Sequence, residues 1–208
     1  MDEFQREQLH GALSNLRNQP YITWNTQFLW KIDGVIDAPT WLRTIGAILP
    51  QDATLYFEGT DIRFEAAALY EKYRAAQVGK ISPDTLIPCP SVFHVRFANG
   101  LLEGLATMAA MTPTEHMFLH IKAYQSDKLL MWFHDAFDGS PMFLSGCLSE
   151  ESVDHFAQVL GKAHLREQVP DPQKSRERTE GFLKFLETQA KHPQKKEPWW
   201  NRISRLWR

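Results

Sequence analysis

The sequence predicts an α+β fold, a two-layer sandwich in which a largely antiparallel sheet carries helices on one face, with a helical C-terminal extension. Three observations predict it. Strand-like and helix-like segments follow in the order β, α, β, α, β, β, β, α, instead of the regular alternation of a doubly wound parallel sheet. The apolar residues of successive strands keep one parity: Leu55 and Phe57, then Phe93, Val95 and Phe97, then Met117, Leu119 and Ile121, then Leu129, Met131 and Phe133. Finally, two alternating runs stand on either side of Gln125-Ser126-Asp127-Lys128, a hairpin signal. On this reading residues 1–163 form a single domain and residues 164–208 a basic extension.

Taken in order, residues 3–17 suit a polar helix, and residues 21–36, with Trp24, Phe28 and Trp30, read as a strand or an aromatic cover. Asp37 caps a helix over 38–49 with Leu42, Ile45 and Leu49 on one stripe and Pro50 just past its end. Residues 54–58 form a strand. Gly59-Thr60-Asp61 then breaks it and caps a helix whose Ile62, Ala66, Leu69, Tyr70 and Tyr73 recur at three- and four-residue spacings. After a strand over 91–97, Asn99 caps a helix that turns Leu101, Leu102, Leu105 and Met108 inward and ends at Thr112-Pro113. Strands over 117–124, 129–135 and 142–147 follow. Ser149 caps a helix with Val153, Phe156 and Leu160 on one face, closed by Gly161. Beyond Val169-Pro170-Asp171-Pro172 the composition turns polar, and a further helix carries Phe182, Phe185 and Leu186 up to His192-Pro193.

Parity places Tyr56, Glu58, His94, Arg96, His120, Lys122, Trp132 and His134 on the sheet face away from the helices. A three-residue loop Ser126-Asp127-Lys128 pairs Gln125 with Leu129, which sets Lys122 opposite Trp132 and His120 opposite His134. Three imidazoles on neighbouring strands, His94, His120 and His134, with Glu58 or Asp138 as general base, have the donor types of a hydrolytic zinc centre. The same residues also fit a solvated or partner-covered face whose histidines bond to their neighbours. Asp135 is set aside as a partner of His134, because adjacent strand residues point to opposite faces. Asp138 precedes Gly139, where turn chemistry alone accounts for it. Cys89 lies in Pro88-Cys89-Pro90 with no basic neighbour, and Ser140 and Ser145 lack the glycine spacing of a nucleophile elbow.

Charge is divided unevenly. From His164 onward there are eleven Lys and Arg against six Asp and Glu, a net of +5, which leaves 12 basic and 19 acidic residues, net −7, before it. An acidic body disfavours nucleic acid. The two cysteines match no metal-binding spacing, and the polar opening Met-Asp-Glu-Phe-Gln-Arg-Glu lacks an apolar signal region, so a reducing, cytoplasmic setting is expected. No run approaches the 18 apolar residues of a membrane span. At the end of the chain, Pro198 starts a short amphipathic helix with Trp199, Trp200, Ile203 and Trp207 near one face and Arg202 and Arg205 on another.

These features lead to the expectation of a non-enzymatic interaction protein, immunity- or adaptor-like, that needs no cofactor. It would bind a protein partner through the polar sheet face, with Arg96 and Trp132, and through the tail, with Trp199, Trp200, Arg202, Ile203, Arg205 and Trp207; a homodimer is a further option. The alternatives are a hydrolase with zinc on His94, His120 and His134, and a peripheral protein whose tail lies on an anionic membrane surface.

Overall fold

Among the described residues seven strands pair antiparallel throughout: β1 (Phe28–Ile32), β2 (Thr54–Gly59), β3 (Ser91–Arg96), β4 (His120–Gln125), β5 (Lys128–Phe133), β6 (Met142–Ser145) and β7 (His164–Gln168). Their order across the sheet is β3-β2-β4-β5-β6-β1-β7. Among the described residues four helices accompany them: α1 (Ala38–Thr44), α2 (Phe64–Lys72), α3 (Asn99–Ala109) and α4 (Glu150–Val159). The fold class is therefore α+β. The structure, a computed structural model, describes residues 22–85 and 90–170. Every named element lies within the compact unit Ser14–Val169. The expected helix over 3–17, the helices of the extension, the tail tryptophans and Cys89 lie outside the described residues. Among the described residues no helix is long and apolar enough to cross a membrane.

Local chemistry accounts for the helix ends. The Asp37 carboxylate accepts the Thr40 amide proton at 2.9 Å and starts α1, while a short 3₁₀ turn, Ile45–Ala47, takes up the rest of the expected helix. Ser149 caps α4 by accepting from the Ser152 amide, and Gly161, at φ +64°, ends that region in the left-handed conformation glycine tolerates. Asp61 and Asn99 do not cap: α2 begins after Arg63, and Asn99 is already the first residue of α3. Replacing Asp37 with Ala should cost about 1 kcal/mol, read as a lower urea midpoint at unchanged slope. The hydroxyl and amide of Thr40 hold the Asp37 carboxyl below its ordinary value. Its contribution is thus present above that ordinary value, and the deficit of the Ala variant should shrink as pH falls through the lowered one.

The parity argument finds most of the core. Leu55, Phe57, Val95, Phe97, Met117, Ile121, Met131 and Phe133 are buried with Trp30, Ile32, Met142 and Leu144 against apolar residues of all four helices, and Phe93 packs on that cluster half-buried. Two residues depart from it. The hairpin turns on Ser126 and Asp127 alone, pairing Gln125 with Lys128, and a bulge between Ala123 and Tyr124 restores the faces. Leu130 consequently enters the core, and Leu129 lies opposite Tyr124 on the other face. Leu119 precedes β4, half-buried outside the core cluster, because the chain there leaves a 3₁₀ turn at Thr114–His116. β7 pairs with β1 over five residues, so His164–Gln168 belongs to the sheet.

After β5 the chain turns sharply through Asp135 (φ +43°), Phe137 (φ +73°) and Gly139 (φ +102°). A phenylalanine in that conformation costs on the order of 1–3 kcal/mol. Ring contacts to Trp41, Phe118 and Phe133, with centroids 5.0–5.6 Å away, offset it.

Candidate functional site

The face opposite the helices is not open. Residues 79–85 cross it, and beneath them Tyr56, Glu58, His120, Lys122 and Tyr124 are all buried. Charged groups are buried here because each has a partner. Both Glu58 oxygens accept: Oε2 from the Tyr56 hydroxyl at 2.7 Å and the Asp84 amide at 2.9 Å, Oε1 from the Thr85 amide. Lys122 Nζ donates to the Ser82 carbonyl at 2.6 Å and to Asp84 Oδ1 at 2.7 Å, and the Trp132 indole donates to Asp84 Oδ2 at 2.7 Å. Burial alone would raise the Asp84 carboxyl, but the His134 imidazole, the Lys122 ammonium and the Trp132 indole hold it well below the usual carboxylate range. Burial and the adjacent Glu58 charge push the Tyr56 phenol far up.

At one end of this network His120 and His134 stack face to face, centroids 4.4 Å apart and planes 2° from parallel. They form the cross-strand pair that the register requires. The Asp135 amide donates to His120 Nδ1 at 2.9 Å, so the proton of this neutral ring sits on Nε2, from which it donates to Thr85 Oγ1 at 3.0 Å. His120 is therefore not a base toward Thr85. Burial lowers its pKa, as the two-sided bonding of the neutral form requires. His134 behaves oppositely: burial opposes its charge, but Asp84 and Asp135 outweigh burial and raise its pKa. Its Nδ1 lies 3.6 Å from Asp84 Oδ2, beyond hydrogen-bond length, and this buried nitrogen has no hydrogen-bond partner among the described residues.

The structure distributes the sequence candidates unequally. His94 stands apart from the pair, with its Nδ1 3.0 Å from the Tyr124 hydroxyl and its ring edge-on to Tyr56; burial lowers its pKa. Glu58 is committed to the crossing segment, which leaves neither oxygen for a general base. Asp138 accepts the Ser140 amide at 2.9 Å within its own turn. Trp132 serves Asp84 and stacks on Phe143, while Arg96 is exposed above the Tyr73 ring. Cys147 is a free, exposed thiol. Asp84, Thr85 and Asp135 are functional neighbours that sequence reasoning missed. Asp84 sits on a segment without periodicity. Strand alternation points Asp135 away from His134, yet β5 ends at Phe133, and the positive φ of Asp135 brings its carboxylate back to both histidines, 3.5 Å from His120 Nδ1 and 3.4 Å from His134 Nε2.

Comparisons with protein-family models, with curated proteins and with solved structures find no match. Function is thus argued from the sites alone. Beside Asp135 an open depression of about 220 Å³ is bordered by Glu115, Leu119, Phe137 and Asp138. That volume is below the roughly 300–1,000 Å³ usual for small-molecule sites.

Proposed function

We propose that this chain is a non-enzymatic interaction protein, immunity- or adaptor-like and cytoplasmic, whose two-layer domain receives an extended segment of a protein partner along the outer edge of β7. The observation that carries this reading is the difference between the two ends of the sheet. At one end, the outer edge of β3 is already engaged: the Ala75 amide donates to the His94 carbonyl and the Arg96 amide to the Tyr73 carbonyl, both at 2.9 Å. At the other end, β7 pairs only with β1 among the described residues, four of its five residues are exposed, and Leu165 is 60% exposed. A free edge presents a row of unpaired amides and carbonyls that an extended peptide completes. Arg166 and Glu167 beside Leu165 supply charges that discourage indiscriminate pairing. In this reading the Trp- and Arg-rich tail, with Trp199, Trp200 and Trp207, adds a second contact.

A photo-crosslinking side chain placed at Leu165 in the expressing cell should give a discrete adduct with another protein, and one at Asp127 in the hairpin turn should not. Glu167→Arg should reduce the adduct severalfold. Equal labelling at both positions, or none at Leu165 in normally accumulated protein, would count against the β7 edge as the docking surface.

A further inference from the structure

We propose that Asp84, His120 and His134 constitute a binding site for one divalent transition-metal ion, with Zn²⁺ matching the donor set. The inference stands independently of the partner reading. One ligand atom from each residue lies within 4.8 Å of the other two. Two imidazoles and a carboxylate favour zinc or another late first-row metal over calcium or magnesium, which prefer all-oxygen sets.

The partners of the ring nitrogens are the second argument; because the two ring planes are parallel, one ion takes both in-plane lone pairs only when the half-exposed His134 ring turns out of the stack. On one side, His120 Nδ1 and His134 Nε2 face the two oxygens of Asp135 at 3.5 and 3.4 Å. On the other side, His120 Nε2 faces the Thr85 hydroxyl, and His134 Nδ1 faces Asp84. That His134 nitrogen is buried and has no hydrogen-bond partner among the described residues, which a metal bond would supply. An outer carboxylate behind two ligating imidazoles is the arrangement that orients such rings and raises their basicity. Lys122 and Trp132 hold Asp84 in place by donating to its two oxygens.

Charge points the same way. Glu58, Asp84 and Asp135 stand against the single ammonium of Lys122, so with neutral imidazoles a dication balances the cluster. On binding, the His120 proton moves from Nε2 to Nδ1 and turns toward Asp135 Oδ1, the Asp135 amide gives up the bond it now donates to Nδ1, and any proton on His134 Nδ1 leaves to solvent. The ion would join the crossing segment, through Asp84, to the hairpin, through both histidines.

The test uses the full chain with both thiols alkylated and metals stripped by chelator. Titration with Zn²⁺ against a chromophoric competitor should show one equivalent bound, with a rise in Tm, and Co²⁺ should give the visible absorption of a low-symmetry site. His134→Gln, at a half-exposed position where folding can be verified by circular dichroism, should abolish the equivalent, and Asp84→Asn should do likewise. Asp135→Asn should weaken binding about 10- to 100-fold. His94→Gln should leave it unchanged. Folded wild-type protein that takes up no stoichiometric zinc, or a His134→Gln variant that binds as tightly as wild type, would overturn the site.

Discussion

Replacing Lys122 with Met should cost about 3–5 kcal/mol of folding stability, the usual penalty for removing one partner of a buried ion pair. Lys122 is 5% exposed, and the two acceptors of its ammonium, the Ser82 carbonyl and Asp84 Oδ1, are held at 2.6 and 2.7 Å. Met keeps nearly the same volume, so the cavity contribution is small and the loss is electrostatic. Without the ammonium, Asp84 and the nearby Glu58 become two buried carboxylates with the His134 imidazole as their nearest cation. The double variant Lys122→Met with Asp84→Asn should recover most of the loss, and urea unfolding of the four proteins of the cycle measures the coupling. A Lys122→Met protein within about 1 kcal/mol of wild type would show that the pair is not a structural requirement.

Asp84 and His134 in the same cluster predict a pH dependence in chelator-treated protein. Asp84 has a lowered folded pKa, so its contribution is complete above the unfolded value of about 3.9 and declines as pH falls below it. His134 has a raised folded pKa, so its contribution is complete below about 6.5 and is lost as pH rises through the folded value. Stability from these two groups is therefore greatest between about pH 4 and 6.5. Lys122 opposes the His134 charge; its removal should deepen the loss on the alkaline side.

How much of this was legible follows from what each signal measures. Alternation reports burial on one face of a regular strand, and where β2, β3 and the centre of β4 are regular it picked Leu55, Phe57, Val95 and Ile121 correctly. It could not locate the bulge, because Leu129 and Leu130 are both apolar and either serves the core. β7 escaped because His-Leu-Arg-Glu-Gln has no alternation: as an edge strand it leaves four residues in water, and it adjoins the region where the charge turns basic. The cross-strand pairing of Lys122 with Trp132 was readable from register, although the loop behind it is one residue shorter than expected. Asp84 was not readable. It reaches the histidines through a segment held by one lysine, one tryptophan and two amides, none of which leaves a periodic trace, and the partners of its side chain lie 38 to 50 residues away. His94 shows the converse error. It lies on the correct face but two strands from His120, with Tyr56 of β2 intervening, and strand order is a tertiary fact that parity does not contain.

Glu58 offers the sharpest test of whether the crossing segment is an independent part of the fold. Glu58→Ala removes the acceptor of the Asp84 and Thr85 amides and of the Tyr56 hydroxyl. Bonds to a charged group contribute about 1.5–3 kcal/mol each, whereas relief of the buried charge returns part of that sum. The net effect should be a loss, because the two amides and the Tyr56 hydroxyl exchange a charged acceptor for, at best, neutral water in the vacated space. Hydrogen exchange at Asp84 and Thr85 should then accelerate about 100-fold, equivalent to roughly 2.7 kcal/mol of local opening, with Ile121 and Met131 in the central strands slowed much more than those two in absolute terms and changed less by the substitution. Equal acceleration at all four amides would mean that the segment opens only with the whole sheet, and unchanged protection at Asp84 and Thr85 would mean that Glu58 does not hold it. Between those outcomes lies the distinction that matters for any ligand of the histidine pair: a segment that opens on its own exposes Asp84, His120 and His134 without unfolding the strands that position them.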